Sequence, residues 1–153
     1  MKLMKSNRAL MCSILVGACA CAPALAALGG DAASVESDRV SLKGALRVTE
    51  RVDYAVHEIN TATGLQVLEY VSPDGRVFAV SWRGPTRPDL GQLLGSYAQQ
   101  LAQAPRAPHY NHHHLSIQTP EVVVQSSGRT RAFFGRAWAP ALLPGNFSLS
   151  DLN

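Results

Sequence analysis

Cysteine is missing from almost the whole chain: Cys12, Cys19 and Cys21 all lie before Ala22, and none occurs after it. If that leading segment is removed, the remainder has no disulfide and no thiol nucleophile. Charge is sparse, at 16% of residues, and no apolar run reaches the roughly 20 residues needed to cross a bilayer. There is no Gly-X-Y period, no heptad run and no long repeat, which excludes collagen, coiled coils and solenoids. A P-loop, a dinucleotide glycine fingerprint, an H-E-x-x-H helix and a G-x-S-x-G elbow are all absent, so the commonest sequence routes to an enzyme are closed. What is present is a hydrophobic fraction of 46% in 153 residues. That excludes disorder and fits one or at most two folded domains.

Lys2, Lys5 and Arg8 precede an apolar stretch from Ala9 to Ala20, and Ala24 and Ala26 flank Leu25 in an A-x-A pattern. This is the layout of an export signal. The expected division is a cleaved signal peptide over 1–26, cut between Ala26 and Ala27, and a single exported globular domain over 27–153, periplasmic or secreted. A rival route lies within it, because Val16-Gly17-Ala18-Cys19 resembles a lipobox. Acylation of Cys19 would make a membrane-anchored lipoprotein, the only membrane contact expected. The formal charge of +3 comes from 14 basic against 11 acidic residues. Losing Lys2, Lys5 and Arg8 leaves 11 of each, so the basic balance is a targeting device and no nucleic-acid partner is expected.

Along the remaining chain, Asp31 is an N-cap for a helix through Val35, Arg39 and Leu42 that stops at Gly44. From Val52 the pattern alternates, with Val52, Tyr54 and Val56 on one face, and reads as a strand. A second strand runs from Leu65 to Val71, and Ser72-Pro73-Asp74-Gly75 is a strong turn signal leading to a third from Arg76 to Arg83. Asp89, with Gln92 as its capping-box partner, starts a helix whose Leu90, Leu93, Leu94, Tyr97, Ala98 and Leu101 form one stripe running on through Gly91 and Gly95. Residues 104–120 read as a long Pro-containing connection. A last hairpin is expected from Glu121–Gln125 and Thr130–Trp138, turning at Ser126-Ser127-Gly128, with an irregular tail after it. The expected fold is α+β: a single, mainly antiparallel sheet of about five strands, in the order α-β-β-β-α-β-β, with helices packed on one face.

Three groups of residues carry candidate chemistry. His109, His112 and His114 stand in one histidine-rich segment and could meet zinc or copper. Trp82 with Arg83, and Arg136 with Trp138, end two strands, with Arg87 nearby. A shared rim would make them a ligand-binding pocket, whereas two indoles capping the core would not. His57 and Glu58 are adjacent in a strand, point to opposite faces and cannot form one site. No catalytic residue is identified.

Glu69-Tyr70-Val71-Ser72-Pro73, Trp82 with Gly84-Pro85, Pro88-Asp89-Leu90 with Leu93-Leu94-Gly95, and Gly135-Arg136-Ala137-Trp138 with Pro140 come after Leu28-Gly29-Gly30 in a characteristic order. Together they resemble an uncharacterised family of exported proteobacterial proteins, domain of unknown function 2844. The resemblance implies export and a single domain, and supplies no activity, cofactor or site residue. The expectation is a non-enzymatic module that binds an envelope protein or a small ligand. A metal-binding protein and a hydrolase with an assembled site are the alternatives.

Overall fold

The computed structural model describes residues 28–104 and 114–152. Asp31 caps α1 (Ala32–Leu42), its carboxylate accepting from the Ser34 amide at 2.9 Å, and Lys43, in the left-handed region at φ 52°, ends it. The chain then forms β1 (Gly44–Glu50), β2 (Ala55–Thr61), β3 (Gln66–Val71) and β4 (Val77–Gly84). Two short helices come next, α2 (Leu90–Leu94) and α3 (Tyr97–Gln103), and then β5 (His114–Gln118), β6 (Val123–Arg129) and β7 (Ala132–Trp138). All the strands join one antiparallel sheet in the order β1-β2-β3-β4-β7-β6-β5.

The α+β class and the single antiparallel sheet stand, but the sheet has seven strands where about five were expected. The two additional strands are its edges. β1 begins at Gly44, the expected helix stop, and β5 lies within the supposed connection 104–120. Each is polar on its outward face and has a neighbour on one side only, so its strand character depends on the hydrogen bonds that neighbour supplies. Val52 is not a strand residue and is 98% exposed. Ser126, Ser127 and Gly128 lie inside β6, not in a turn. The chain reverses beyond Arg129, with Arg131 at φ 64°. Sheet pairing on both sides of β6 overrides the turn preference of small polar residues.

The Leu stripe is also divided. Gly95 takes φ 49° and ends α2, and the chain restarts as α3. Asp89 caps α2 as expected, but the Gln92 side chain does not return to it; its amide donates to Asp38 of α1 at 2.5 Å. The Ser72–Gly75 turn forms as read, closed by the Gly75 amide on the Ser72 carbonyl at 2.8 Å, with Gly75 at φ 81°.

Both faces of the sheet are covered, by different material. The three helices pack on one side over Ile59, Val67, Val80, Trp82, Val124 and Ala137. On the other side the C-terminal segment crosses part of the sheet and sets Leu143, Phe147 and Leu152 against Tyr70, Phe78 and Trp138. The register slips between Tyr70/Val71 and their partners on β4, which leaves Phe78 opposite neither. This bulge turns Phe78 and Ala79 both toward the C-terminal segment.

Close packing inside the sheet yields a first prediction. A Cβ on Gly135 would lie 2.4 Å from the Trp82 ring and 2.8 Å from the Gln125 carbonyl oxygen. Gly135→Ala is therefore expected to cost about 1–3 kcal/mol through overpacking. A urea titration in which the variant unfolds at the wild-type midpoint would contradict this close approach.

Candidate functional site

Strand register sorts the outer face, the one without helices, into rows. One row runs Gln66, Arg83, Phe134, Ser127, His114 across β3, β4, β7, β6 and β5. The next is Leu68, Ser81, Arg136, Gln125, Ser116, and the third Tyr70, Ala79, Trp138, Val123, Gln118. The third row is largely apolar and the C-terminal segment lies over it, with Leu152 buried at its end. Past Leu152 the first two rows are open, and there the surface hollows into a cavity of about 600 Å³.

Arg83, His114, Ser116, Gln125, Ser127, Phe134 and Arg136 bring side chains to this cavity from four strands, and Leu152 closes one end. Phe134 is 57% exposed, an unusual position for a phenylalanine on a sheet face. The arginines are held in place. Arg136 Nε donates to Gln125 Oε1 at 3.0 Å and its Nη1 to the Leu149 carbonyl at 3.2 Å, with the guanidinium carbon 5.7 Å from the Trp138 ring centroid. Arg83 Nη2 donates to Gln66 Oε1 at 3.1 Å, while Gln66 Nε2 donates to Glu58 at 2.7 Å. A guanidinium has five N–H donors, so these bonds fix both groups and leave donors for a ligand. His114 Nδ1 and Ser127 Oγ share a 2.5 Å hydrogen bond on the far wall. Among the described residues, no aspartate or glutamate lines the cavity. The nearest carboxylate along these rows, Glu58, takes bonds from Asn60 and Gln66, which hold its pKa below the usual carboxylate value.

Of the residues singled out from the sequence, Arg83, Arg136 and Trp138 share the outer face, and the two arginines line the cavity. Trp82 borders the same hollow through its strand, but its indole belongs to the helix-side core and is 2% exposed. Trp138 lies beneath Arg136, next to the cavity. The two tryptophans are thus on opposite faces. Arg87 is elsewhere, its guanidinium 5.4 Å from the Phe133 ring centroid.

His114 is on β5, while His109 and His112 lie outside the described residues, as do Cys19, Ala24, Ala26 and Ala27. Among the described residues no group of three His, Cys, Asp or Glu side chains is placed to hold a metal ion. No helix among them is long and apolar enough to cross a membrane. His57 and Glu58 do point to opposite faces, with Glu58 outward and His57 under the helices. Sequence reasoning missed Phe134, Gln125, Ser127 and Ser116. For Ser116 the signal was the alternation of polar with apolar residues in 114–118, whereas Gln125, Ser127 and Phe134 emerge only from the register of β6 and β7.

A family described as "Protein of unknown function (DUF2844)" matches residues 24–152. No curated protein and no solved structure matches the chain.

Proposed function

The chain belongs to the DUF2844 family of proteins of unknown function, and on that premise we propose that it is an exported binding protein whose outer-face cavity takes a small anionic ligand with a flat apolar group. The observation that carries this reading is the pairing of two positioned arginines with an exposed Phe134 in one hollow that, among the described residues, no aspartate or glutamate lines. Each part has a role. The guanidiniums of Arg83 and Arg136 offer planar donor pairs suited to a carboxylate or phosphate. Phe134 gives a face for stacking, and Ser116, Gln125 and Ser127 provide directional hydrogen bonds at the wall. Export is supported by the basic and apolar layout before Ala27.

Titration calorimetry with benzoate, acetate and inorganic phosphate tests the reading. Benzoate should bind more tightly than acetate, and added salt should weaken the binding. Arg136→Ala should weaken benzoate binding by about tenfold or more, the scale of a lost charge-assisted bond. Phe134→Ala should remove the preference for benzoate over acetate. If none of the three anions binds, or if the double variant Arg83→Ala/Arg136→Ala binds them as wild type does, the reading fails.

A further inference from the structure

On the helix side of the sheet, away from the cavity, two carboxyl groups are sealed in the core. Asp38 of α1 and Glu69 of β3 are both 0% exposed. They lie close enough for each to shift the other's protonation, and Asp38 Oδ2 and both Glu69 oxygens are buried with no hydrogen-bond partner. Among the described residues, the pair's one hydrogen bond comes from Gln92 of α2, whose amide donates to Asp38 Oδ1. Two neighbouring carboxylates repel each other unless one of them holds a proton, which the pair could then share. Burying both as anions would carry a desolvation cost that nothing nearby offsets.

The surroundings make that proton decisive. On the same face β2 contributes His57, directly opposite Glu69 in register, and its buried Nδ1 has no partner. Burial lowers the His57 pKa, against a smaller opposing pull from Glu50 of β1, so the imidazole is neutral at neutral pH. β4 places Val80 opposite Glu69 and carries no ionisable group there, only Val80 and Trp82. On α1 itself, Arg39 is tied by its guanidinium to Glu36 at 2.6–2.9 Å. Among the described residues, no cation on these elements is directed at the pair. Burial and the neighbouring Asp38 push the Glu69 pKa up to about 9, and burial raises Asp38 as well.

We propose that Asp38 and Glu69 form a proton-operated clasp, in which one shared proton pins α1 and α2 to β3 and its removal by base releases α1 from the sheet. The second carboxylate charge then has two outcomes open to it: repulsion within a dry core, or movement of α1 until water reaches both groups. Only Ser34, Val35 and Asp38 of α1 are buried, so the helix has little other apolar anchorage to resist release. β2 and β3 beneath it are paired on both sides and stay in place.

Amide hydrogen exchange on the full chain, corrected for intrinsic exchange, tests the clasp between about pH 6 and about pH 9.5. Protection within α1 should fall by about tenfold or more over that interval while β4 keeps its protection. Glu69→Gln, which presents a permanent N–H to Asp38, should hold α1 protection constant. The infrared spectrum of the wild type provides an independent readout that needs no variant. A neutral carboxylic-acid carbonyl band should be present at pH 7 and vanish with the same midpoint as the loss of α1 protection. Absence of that band at pH 7, α1 protection that does not change with pH, or a Gln variant that loses protection as wild type does would each overturn the clasp.

Discussion

Replacing Phe78 with Ala is expected to destabilise the fold by about 3–5 kcal/mol, the range for deleting a fully buried aromatic side chain. Phe78 is 0% exposed and sits at the β4 bulge. Its ring meets those of Tyr54, Tyr70 and Phe147 at centroid distances of 6.1, 6.2 and 4.7 Å, and the Tyr54 and Phe147 contacts are edge-on. The favourable edge-to-face geometry is lost with the apolar area. The consequence is also specific to one layer. Phe147 is the tail's main aromatic contact, so the variant should loosen the C-terminal segment, and Arg136 would lose its hold on Leu149. Chemical denaturation would give the global cost, and proteolysis within 140–152 the local one. A variant that unfolds within about 1 kcal/mol of wild type would place the anchor of the tail elsewhere.

Raising the pH from about 5 to about 9 should destabilise the protein progressively, by several kcal/mol in all. The sign is set by Glu69. In the unfolded chain it titrates near its ordinary value, 4.5, and in the folded protein near 9. Between those values the folded state holds a proton that the unfolded state has lost. The stabilisation is complete below the unfolded pKa and is lost as pH rises through the folded one, at up to about 1.4 kcal/mol per unit. Asp38, also raised, acts in the same direction at lower pH. His57 acts the other way: its lowered folded pKa gives stability that is present above its ordinary value of 6.5 and lost on acidification. Denaturant midpoints measured across this range should therefore decline toward alkaline pH, and Glu69→Gln should flatten that decline. An unchanged alkaline slope in Glu69→Gln would show that another group controls it.

The elements that formed as read have strong local causes. Pro73, Asp74 and Gly75 suit one reversal, and Asp31 and Asp89 each accept from amides at a helix start, whereas the Leu90–Leu101 stripe has a helical period that Gly95 divides. β1 and β5 lacked such causes, since each borrows its order from a single neighbour. The candidate site divides in the same way. Arg83 and Arg136 could be picked out as cations near strand ends, but the pairing of Trp82 with Gly135 and Ala79 with Trp138 was invisible. Those partners are three residues apart on β4, and an odd offset sends the two indoles to opposite faces. Glu69 did leave a trace, as an acid between Val67 and Val71 on the buried side of a strand. Its partner Asp38 did not, being one polar residue among several in α1.

By itself, the sequence determined the class of the fold, the hairpin at Ser72–Gly75 and the helix starts, because each depends on residues a few positions apart. The tertiary structure decided what lies together: the arginines and Phe134 in one hollow, the tryptophans apart, and two acids buried beneath α1. Those outcomes depend on register and on which surface the tail and helices cover. Both are fixed by contacts between distant segments, where a shift of one residue turns every side chain of a strand to the other face.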